Sequence, residues 1–281
     1  MAEAIGWLDN LWGHPDQLGV PISDRGLRLA EGVFETLLVR GGQAQLLDQH
    51  LQRWNQGAHL LGLPQPPPRQ QVLQWLNGAV QRSGIANGAL RLNWSWGSDG
   101  GRGLAMAAKP AAGRCWGSLY PHTPNFQPQS AWVCRGVRRW ADSPLSGCKS
   151  FAYTEMLLAL AEAQAAGAGD ALLLSSRGGL CCGSSANLLV WRQHRWLTPP
   201  LASGCLAGIM RGRALELSLA EEAPLGDTLE PGEAAVLLNS LDCRPLNAAA
   251  APLAEALFEQ LLAASPGGSG SDNKEKPKFL D

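Results

Sequence analysis

DRGLRLAEGVFETLLVRGGQAQLLDQHLQRW, residues 24–54, predicts a strand, a tight turn, a second strand and a helix in direct succession. Two apolar runs, 33–40 and 43–47, flank the glycine pair at 41 and 42, and this pattern is typical of a β-hairpin. Apolar residues then recur at alternating intervals of four and three, which predicts one buried face of a helix. They are Leu47, Leu51, Trp54, Ala58 and Leu61.

Strands and helices continue to alternate along the chain, so the sequence predicts a mixed α/β fold. One helix is expected to begin near Ser150, with Lys149 at its start, and to end in the small residues of 166–169. Further helices are expected near 70–82, 209–219 and 252–264, and further strands at 89–96, 103–108, 131–138, 171–176, 180–191, 195–198 and 234–239.

The segment PHTPNFQPQS, residues 121–130, is rich in proline and polar residues and predicts a linker between two domains. We expect a smaller N-terminal α/β domain over 1–120 and a larger C-terminal domain over 131–264. Residues 265–281 are of low complexity, rich in glycine, serine and charge, and predict a disordered tail.

The composition limits the class of protein. A chain of 281 residues that is 45% hydrophobic can bury a large core, while a net charge of −1 gives no basic surface for nucleic acid or anionic membranes. No apolar run reaches the ~18–20 residues of a membrane span, and the N-terminus does not read as a secretory signal. With seven cysteines and no C-x-x-C spacing, we expect a cytoplasmic protein with reduced thiols and no metal site.

Lys149 is the most informative single residue. It precedes an apolar segment, 150–160, which predicts a buried helix, so its amine is expected to be poorly solvated. A poorly solvated amine is more readily neutral, the form that Schiff-base chemistry requires. Alternatively, a lysine at a helix end extends its ammonium group into water, and this segment alone does not exclude that interpretation.

Other segments favour the chemical interpretation because the chain resembles the class IV aminotransferases, the fold-type IV enzymes of pyridoxal phosphate. Residues 24–54 are similar to the opening signature of that family, and the match runs in order from about residue 20 to about residue 260. The resemblance implies two α/β domains with pyridoxal phosphate in the cleft between them, a small-molecule substrate and a homodimer. Its other motifs are CKSFAYTEMLLALAEAQAAGAGDALLL (148–174), SSANLLVW (184–191) and LTPPLASGCLAGIMR (197–211).

The resemblance also implies roles for residues around the cofactor. Lys149 would form the Schiff base with pyridoxal phosphate and move the substrate proton. Arg53 would pair with the phosphate, which the fork of a guanidinium matches well. The remaining phosphate contacts would come from the start of a helix at Gly208, Ile209 and Met210 and from a second segment at Asn239 and Ser240.

Several details favour aminodeoxychorismate lyase, which makes 4-aminobenzoate and pyruvate in folate biosynthesis. Gly208-Ile209-Met210-Arg211 is similar to the lyase phosphate loop, and Tyr153 and Glu155 are lyase-like positions after the lysine. Arg102, in the GGRG segment, and Thr36 are the implied substrate contacts. An aminotransferase acting on a branched-chain or D-amino acid remains an alternative.

The chain departs from the family pattern at Cys182. Family members usually have a glutamate five residues before the asparagine that matches Asn187, where it keeps the pyridine nitrogen protonated. A cysteine is mostly uncharged near neutral pH and would be a poor partner for a pyridinium. Trp96 also replaces an arginine that is common in the lyases. A non-catalytic member that only binds pyridoxal phosphate is therefore a third possibility.

Overall fold

The computed structural model describes residues 3–98, 103–105 and 112–263, and it confirms the mixed α/β fold. Among these residues, no helix is long and apolar enough to cross a membrane. The helices are α1 (Arg25–Leu29), α2 (Leu47–Leu60), α3 (Arg69–Ser83), α4 (Thr154–Ala165), α5 (Ile209–Glu216) and α6 (Ala251–Ala263). The strands are β1 (Ile5–Leu8), β2 (Leu11–Gly13), β3 (Gly32–Arg40), β4 (Gln43–Ala44), β5 (Gly88–Ser95), β6 (Arg114–Pro121), β7 (Ala131–Arg139), β8 (Asp170–Ser175), β9 (Leu180–Gly183), β10 (Asn187–Arg192), β11 (Arg195–Thr198), β12 (Ala220–Glu222), β13 (Ala235–Leu238) and β14 (Cys243–Pro245).

The first six strands form one antiparallel sheet in the order β2-β1-β6-β5-β3-β4. Helices α2 and α3 pack on this sheet through a core that includes Leu37, Leu51, Trp54 and Leu76. Strand β3 is central to the site because its alternating side chains serve two purposes. Phe34 and Thr36 line a cavity, whereas Glu35, between them, is completely buried against α2.

The remaining strands form a second sheet, with the order β12-β11-β10-β9-β8-β7 and with β13 pairing both β10 and β14. The chain leaves the first sheet at Pro121 and enters the second at Ala131, so the proline-rich segment connects the two sheets. The division into two domains at this segment stays a prediction. Strands β1, β2, β6, β12 and β14 were not predicted, and the expected tail at 265–281 lies outside the described residues.

Helix α4 begins later than the sequence predicts, and the prediction that Lys149 starts the helix is wrong. The segment before α4 is extended because it pairs with β3: the Phe34 amide donates to the Lys149 carbonyl at 3.0 Å, and the Phe151 amide donates to the Gly32 carbonyl at 2.9 Å. Ser150 forms an isolated bridge with Val33. Pairing with a neighbouring strand here outweighs the helical preference of the following sequence.

Three other details differ from expectation. Helix α4 is not buried on all sides, because Leu157 and Leu158 are 63% and 59% exposed. The predicted strand 180–191 is two strands, β9 and β10, joined by a turn at 184–186. At 103–108, residues 103–105 are not in a strand and 106–108 lie outside the described residues.

Candidate active site

A cavity of about 740 Å³ is lined by elements of both sheets, and it collects nine of the ten residues that the sequence analysis proposes as cofactor or substrate neighbours. The tenth, Arg102, lies outside the described residues. The nine are Thr36, Arg53, Lys149, Cys182, Gly208, Ile209, Met210, Asn239 and Ser240.

Lys149 reaches this cavity from the extended segment before α4. Its amine donates to the Tyr153 hydroxyl at 3.2 Å and lies 4.3 Å from the centre of the Phe34 ring. The neighbouring thiol does not compete as a nucleophile, since burial raises the pKa of Cys148 to about 11. Lys149 therefore brings an amine to the cavity, with one hydroxyl and one aromatic ring beside it, and is its candidate nucleophile.

Arg53, on α2, is held by a buried carboxylate. Its Nε and Nη2 donate to the two oxygens of Glu35 at 2.7 and 2.6 Å, and its Nη1 donates to the Ala207 carbonyl at 3.0 Å. Glu35 also contacts the Nδ1 of His50 at 2.7 Å. The side chains of Glu35, His50 and Arg53 are 0%, 1% and 11% exposed, so this cluster is almost dry.

The ionisation of the cluster follows from its contacts. Burial raises the pKa of Glu35, but the charge and hydrogen bonds of Arg53 and His50 outweigh burial and lower it to about 2. Burial lowers the pKa of His50, although Glu35 opposes this effect. At neutral pH the cluster therefore contains a carboxylate, a guanidinium and a neutral imidazole whose Nδ1 donates to Glu35.

The start of α5 forms a second edge of the cavity. The N-cap residue is Gly208, and a β-carbon built there would lie 1.9 Å from Oδ1 of Asn187, so only glycine fits. The Asn187 amide donates to the Leu206 carbonyl at 2.9 Å and fixes the loop that leads into the helix. The first amides of α5, from Ile209 and Met210, have no partner within the helix and can hold an anion.

Asn239 and Ser240 follow β13 and line the cavity at a tight turn. The carbonyl oxygen of the Asn239 side chain accepts from the amides of Leu241 and Asp242 at 2.8 and 2.9 Å. Asn239 thus shapes the turn, and its Nδ2 donates to the Ser185 carbonyl at 3.5 Å, while the Ser240 hydroxyl is a further donor at the cavity.

Cys182 lies on β9, where its backbone pairs with Leu173 and Asn187, and its side chain is 6% exposed at the cavity. It belongs to a buried apolar cluster with Cys181 and Cys205. The described carboxylates of the cavity, Glu155 and Asp242, lie on other elements. Cys182 therefore brings a thiol to the cavity, and its place opposite the pyridine nitrogen stays a prediction of the family resemblance.

Arg91 is a cavity residue that sequence reasoning missed. Its guanidinium lies 3.8 Å from the centre of the Phe34 ring, and its Nε donates to Asn93 at 2.9 Å. On β5, Leu90 and Leu92 are buried in the core, so Arg91 must face the other side of the sheet. The signal in the sequence was an arginine that alternates with two apolar residues of a strand, which indicates a charged side chain on the face opposite the core.

The donor set suits a phosphorylated aldehyde such as pyridoxal phosphate. Lys149 supplies the amine that an aldehyde requires. A phosphate fits the start of α5, beside Arg53 and Ser240, because these groups offer several N–H and O–H donors and Gly208 has no side chain that would stand in the way.

Comparison with known proteins agrees with this assignment. The family model for amino-transferase class IV matches residues 32–248. The aminodeoxychorismate lyase of Vibrio harveyi is 27% identical over 88% of this chain and 92% of its own length. The bifunctional aminodeoxychorismate lyase / D-amino acid transaminase of Mycobacterium tuberculosis is 31% identical over 62% of each chain.

Solved structures give the same fold. A hypothetical aminotransferase from Mycobacterium tuberculosis, in its PLP-bound form, superposes with a TM-score of 0.78 over 93% of this chain and 99% of that chain, at 23% identity. With the family match over most of its length, this chain belongs to the class IV aminotransferase family, and its cofactor is pyridoxal phosphate.

Proposed function

We propose that this enzyme is a lyase that converts 4-amino-4-deoxychorismate to 4-aminobenzoate and pyruvate, a step of folate biosynthesis. The relative from Vibrio harveyi, which this chain matches over most of its length, is named aminodeoxychorismate lyase. The site adds a physical argument, which comes from the residues around the Phe34 ring.

The observation that carries the proposal is that two cationic side chains share one aromatic ring. Arg91 lies 3.8 Å from the centre of the Phe34 ring and the Lys149 amine lies 4.3 Å from it. The proposed substrate has an unsaturated ring, two carboxylates and an amine. Its ring suits the aromatic wall, a carboxylate suits Arg91, and the amine-bearing carbon then lies within reach of Lys149.

The proposed chemistry assigns most of the work to Lys149. When bound, pyridoxal phosphate supplies an electron sink for the charge left at the amine-bearing carbon. Lys149 would hold the cofactor before substrate binds, and its amine, once released, would remove the proton from the amine-bearing carbon as a general base. Tyr153, 3.2 Å away, keeps the amine directed into the cavity. The enolpyruvyl group leaves, a proton returned by Lys149 completes pyruvate, and the remaining ring becomes aromatic.

A class IV aminotransferase is the second candidate. The bifunctional relative from Mycobacterium tuberculosis carries both activities in its name, and the same Lys149 can move a proton in either reaction. The two reactions differ in their need for an amino acceptor, because a transaminase requires a 2-oxo acid and the lyase does not.

Product analysis separates the candidates. Purified holoenzyme is incubated with 4-amino-4-deoxychorismate and no 2-oxo acid, and 4-aminobenzoate and pyruvate are measured separately. We expect equal amounts of both products and a complete loss in Lys149→Ala, which also loses the visible absorbance of the lysine-bound cofactor. Activity that depends on a 2-oxo acid would support the aminotransferase instead. An absorbance spectrum that is unchanged in Lys149→Ala would support a protein that binds the cofactor without catalysis.

A further inference from the structure

The buried cluster beneath the cavity assigns a role to two residues that do not touch substrate. We propose that Glu35 and His50 are positioning residues, which hold Arg53 in the one orientation that directs its free N–H groups at the cofactor phosphate. This inference rests on the cofactor and not on the reaction, so it applies equally to a lyase and to an aminotransferase.

The hydrogen bonds of Arg53 define what it can offer. A guanidinium has five N–H donors. Glu35 takes two of them, through Nε and Nη2, and the Ala207 carbonyl takes one from Nη1. Two N–H groups, one on each Nη, remain for an anion. Because Glu35 grips one edge of the planar fork with both oxygens, the plane of the fork and the direction of these two donors are fixed.

The same contacts set the position of Arg53 relative to the start of α5. Ala207 directly precedes the N-cap Gly208, so one guanidinium links Glu35 of the first sheet to the loop of the second. A lysine could not reproduce this link. Its single ammonium nitrogen cannot donate to both oxygens of Glu35 and also to the Ala207 carbonyl, whereas the three nitrogens of a planar guanidinium can.

His50 completes the arrangement by fixing Glu35. The Oε2 of Glu35 accepts from both Arg53 and His50, so the carboxylate cannot rotate without losing a hydrogen bond in an almost dry environment. His50 and Arg53 lie three residues apart on α2, one turn of the helix, and both point at the same carboxylate. These hydrogen bonds thereby fix the position of helix α2 relative to strand β3.

The test compares two ligands that differ only in the phosphate. Apoprotein is titrated with pyridoxal phosphate and with pyridoxal. The dissociation constant of pyridoxal divided by that of pyridoxal phosphate measures the contribution of the phosphate. We expect Glu35→Gln to reduce that ratio by about 10–100-fold, as loss of a residue that orients a ligand-binding group commonly does, with pyridoxal affinity unchanged. His50→Ala should act in the same direction, and His50→Asn, which retains a donor near the position of Nδ1, should restore much of the ratio.

Two controls make the result decisive. Glu233→Gln removes the charge of another arginine-paired carboxylate, 7% exposed and outside the cavity, and should leave the ratio unchanged. If Glu35 acts through Arg53, then the double variant Glu35→Gln/Arg53→Lys should bind pyridoxal phosphate no more weakly than Arg53→Lys alone. Equal losses for pyridoxal and pyridoxal phosphate in Glu35→Gln would overturn the proposal, and so would an unchanged ratio in Arg53→Lys. Should Glu35→Gln fail to fold, the two variants His50→Ala and His50→Asn test the same effect on the ratio of dissociation constants.

Discussion

The Lys149 amine lies 3.2 Å from the Tyr153 hydroxyl, although the backbone between the two residues is not helical. Lys149 is in the extended segment that pairs with β3, and Tyr153 is the N-cap of α4. The turn between them brings both side chains to the Phe34 ring, with the Tyr153 ring 5.2 Å from it, edge to face. The reactive amine is therefore positioned by a strand pairing on one side and by a helix start on the other.

Removing this hydroxyl should slow the reaction. We expect Tyr153→Phe to lower kcat by up to about tenfold, because a hydrogen bond contributes about 0.5–1.5 kcal/mol and 1.4 kcal/mol corresponds to a factor of ten in rate. The amine would then lose the contact that directs it into the cavity. Steady-state kinetics measure the effect, and Tyr120→Phe, at the other tyrosine of the chain, is the matched control because that side chain is on β6 and 45% exposed. Equal kcat values in the two variants would show that the contact has no catalytic importance.

Local patterns in the sequence predicted much of the molecule. The hairpin glycines placed β3 and β4, and the spacing of Leu51, Trp54 and Ala58 placed α2 almost to the residue. Arg53 and Lys149 were found as part of motifs, and both line the cavity. These predictions succeed because a turn or a helical face is determined by residues that are near each other in sequence.

Features that depend on distant contacts were missed. The extended backbone at Lys149 is set by β3, more than a hundred positions earlier in the chain, and local sequence favours a helix there. Glu35 is an acidic residue inside an apolar strand, and only the fold shows that His50 and Arg53 neutralise it. Arg91 was overlooked because its function depends on which face of β5 meets the cavity.

The protein should lose stability in mild acid through the Glu35 cluster. Glu35 has a lowered pKa of about 2, against an ordinary value of 4.5, so its contribution is complete above pH 4.5 and is lost as the pH falls towards 2. His50 has a lowered pKa, so the unfolded chain takes up a proton below pH 6.5 that the folded chain does not, which also favours unfolding. The Glu35 contribution is on the order of 3 kcal/mol.

Urea unfolding of the apoprotein at several pH values between 7 and 3 checks this expectation. The free energy of unfolding should fall with acid in the wild type, and the decline should be shallower in His50→Asn, which cannot titrate in this range. A parallel decline in both proteins would assign the acid sensitivity to other groups.

Arg91 should control the affinity for an anionic substrate. We expect Arg91→Met to raise KM by about 10–100-fold with a smaller change in kcat, because an arginine–carboxylate contact contributes about 1.5–3 kcal/mol and each 1.4 kcal/mol is a factor of ten in affinity. Arg82→Met is the control, since Arg82 also lies over an aromatic ring, 4.5 Å from the centre of Trp12, but outside the cavity. A KM that is unaltered in Arg91→Met would place the substrate carboxylates elsewhere.

The exposed leucines of α4 should mediate self-association. Leu157 and Leu158 lie on the face opposite the buried Met156, Ala159 and Ala163. The family resemblance implies a homodimer, and we expect the second copy of this chain to cover these two exposed leucines. A double change, Leu157→Glu with Leu158→Glu, should convert a dimer to a monomer in sedimentation experiments. Leu11→Glu, at a residue 65% exposed on β2, should remain dimeric. A monomeric wild-type protein would contradict this expectation.

Cys182 should favour elimination over amino transfer. A carboxylate beside the pyridine nitrogen keeps that nitrogen protonated and strengthens the electron sink. Transamination needs a strong electron sink more than the lyase reaction does, because the lyase product is aromatic. We expect Cys182→Glu to raise any aminotransferase side activity relative to lyase activity, while lyase turnover rises by no more than about tenfold, because the aromatic product already supplies much of the driving force. Cys182→Ser, similar in size and uncharged, should leave the ratio of the two activities near that of the wild type. A rise of several orders of magnitude in lyase turnover with Cys182→Glu would mean that the site is impaired by its thiol and not adapted to it.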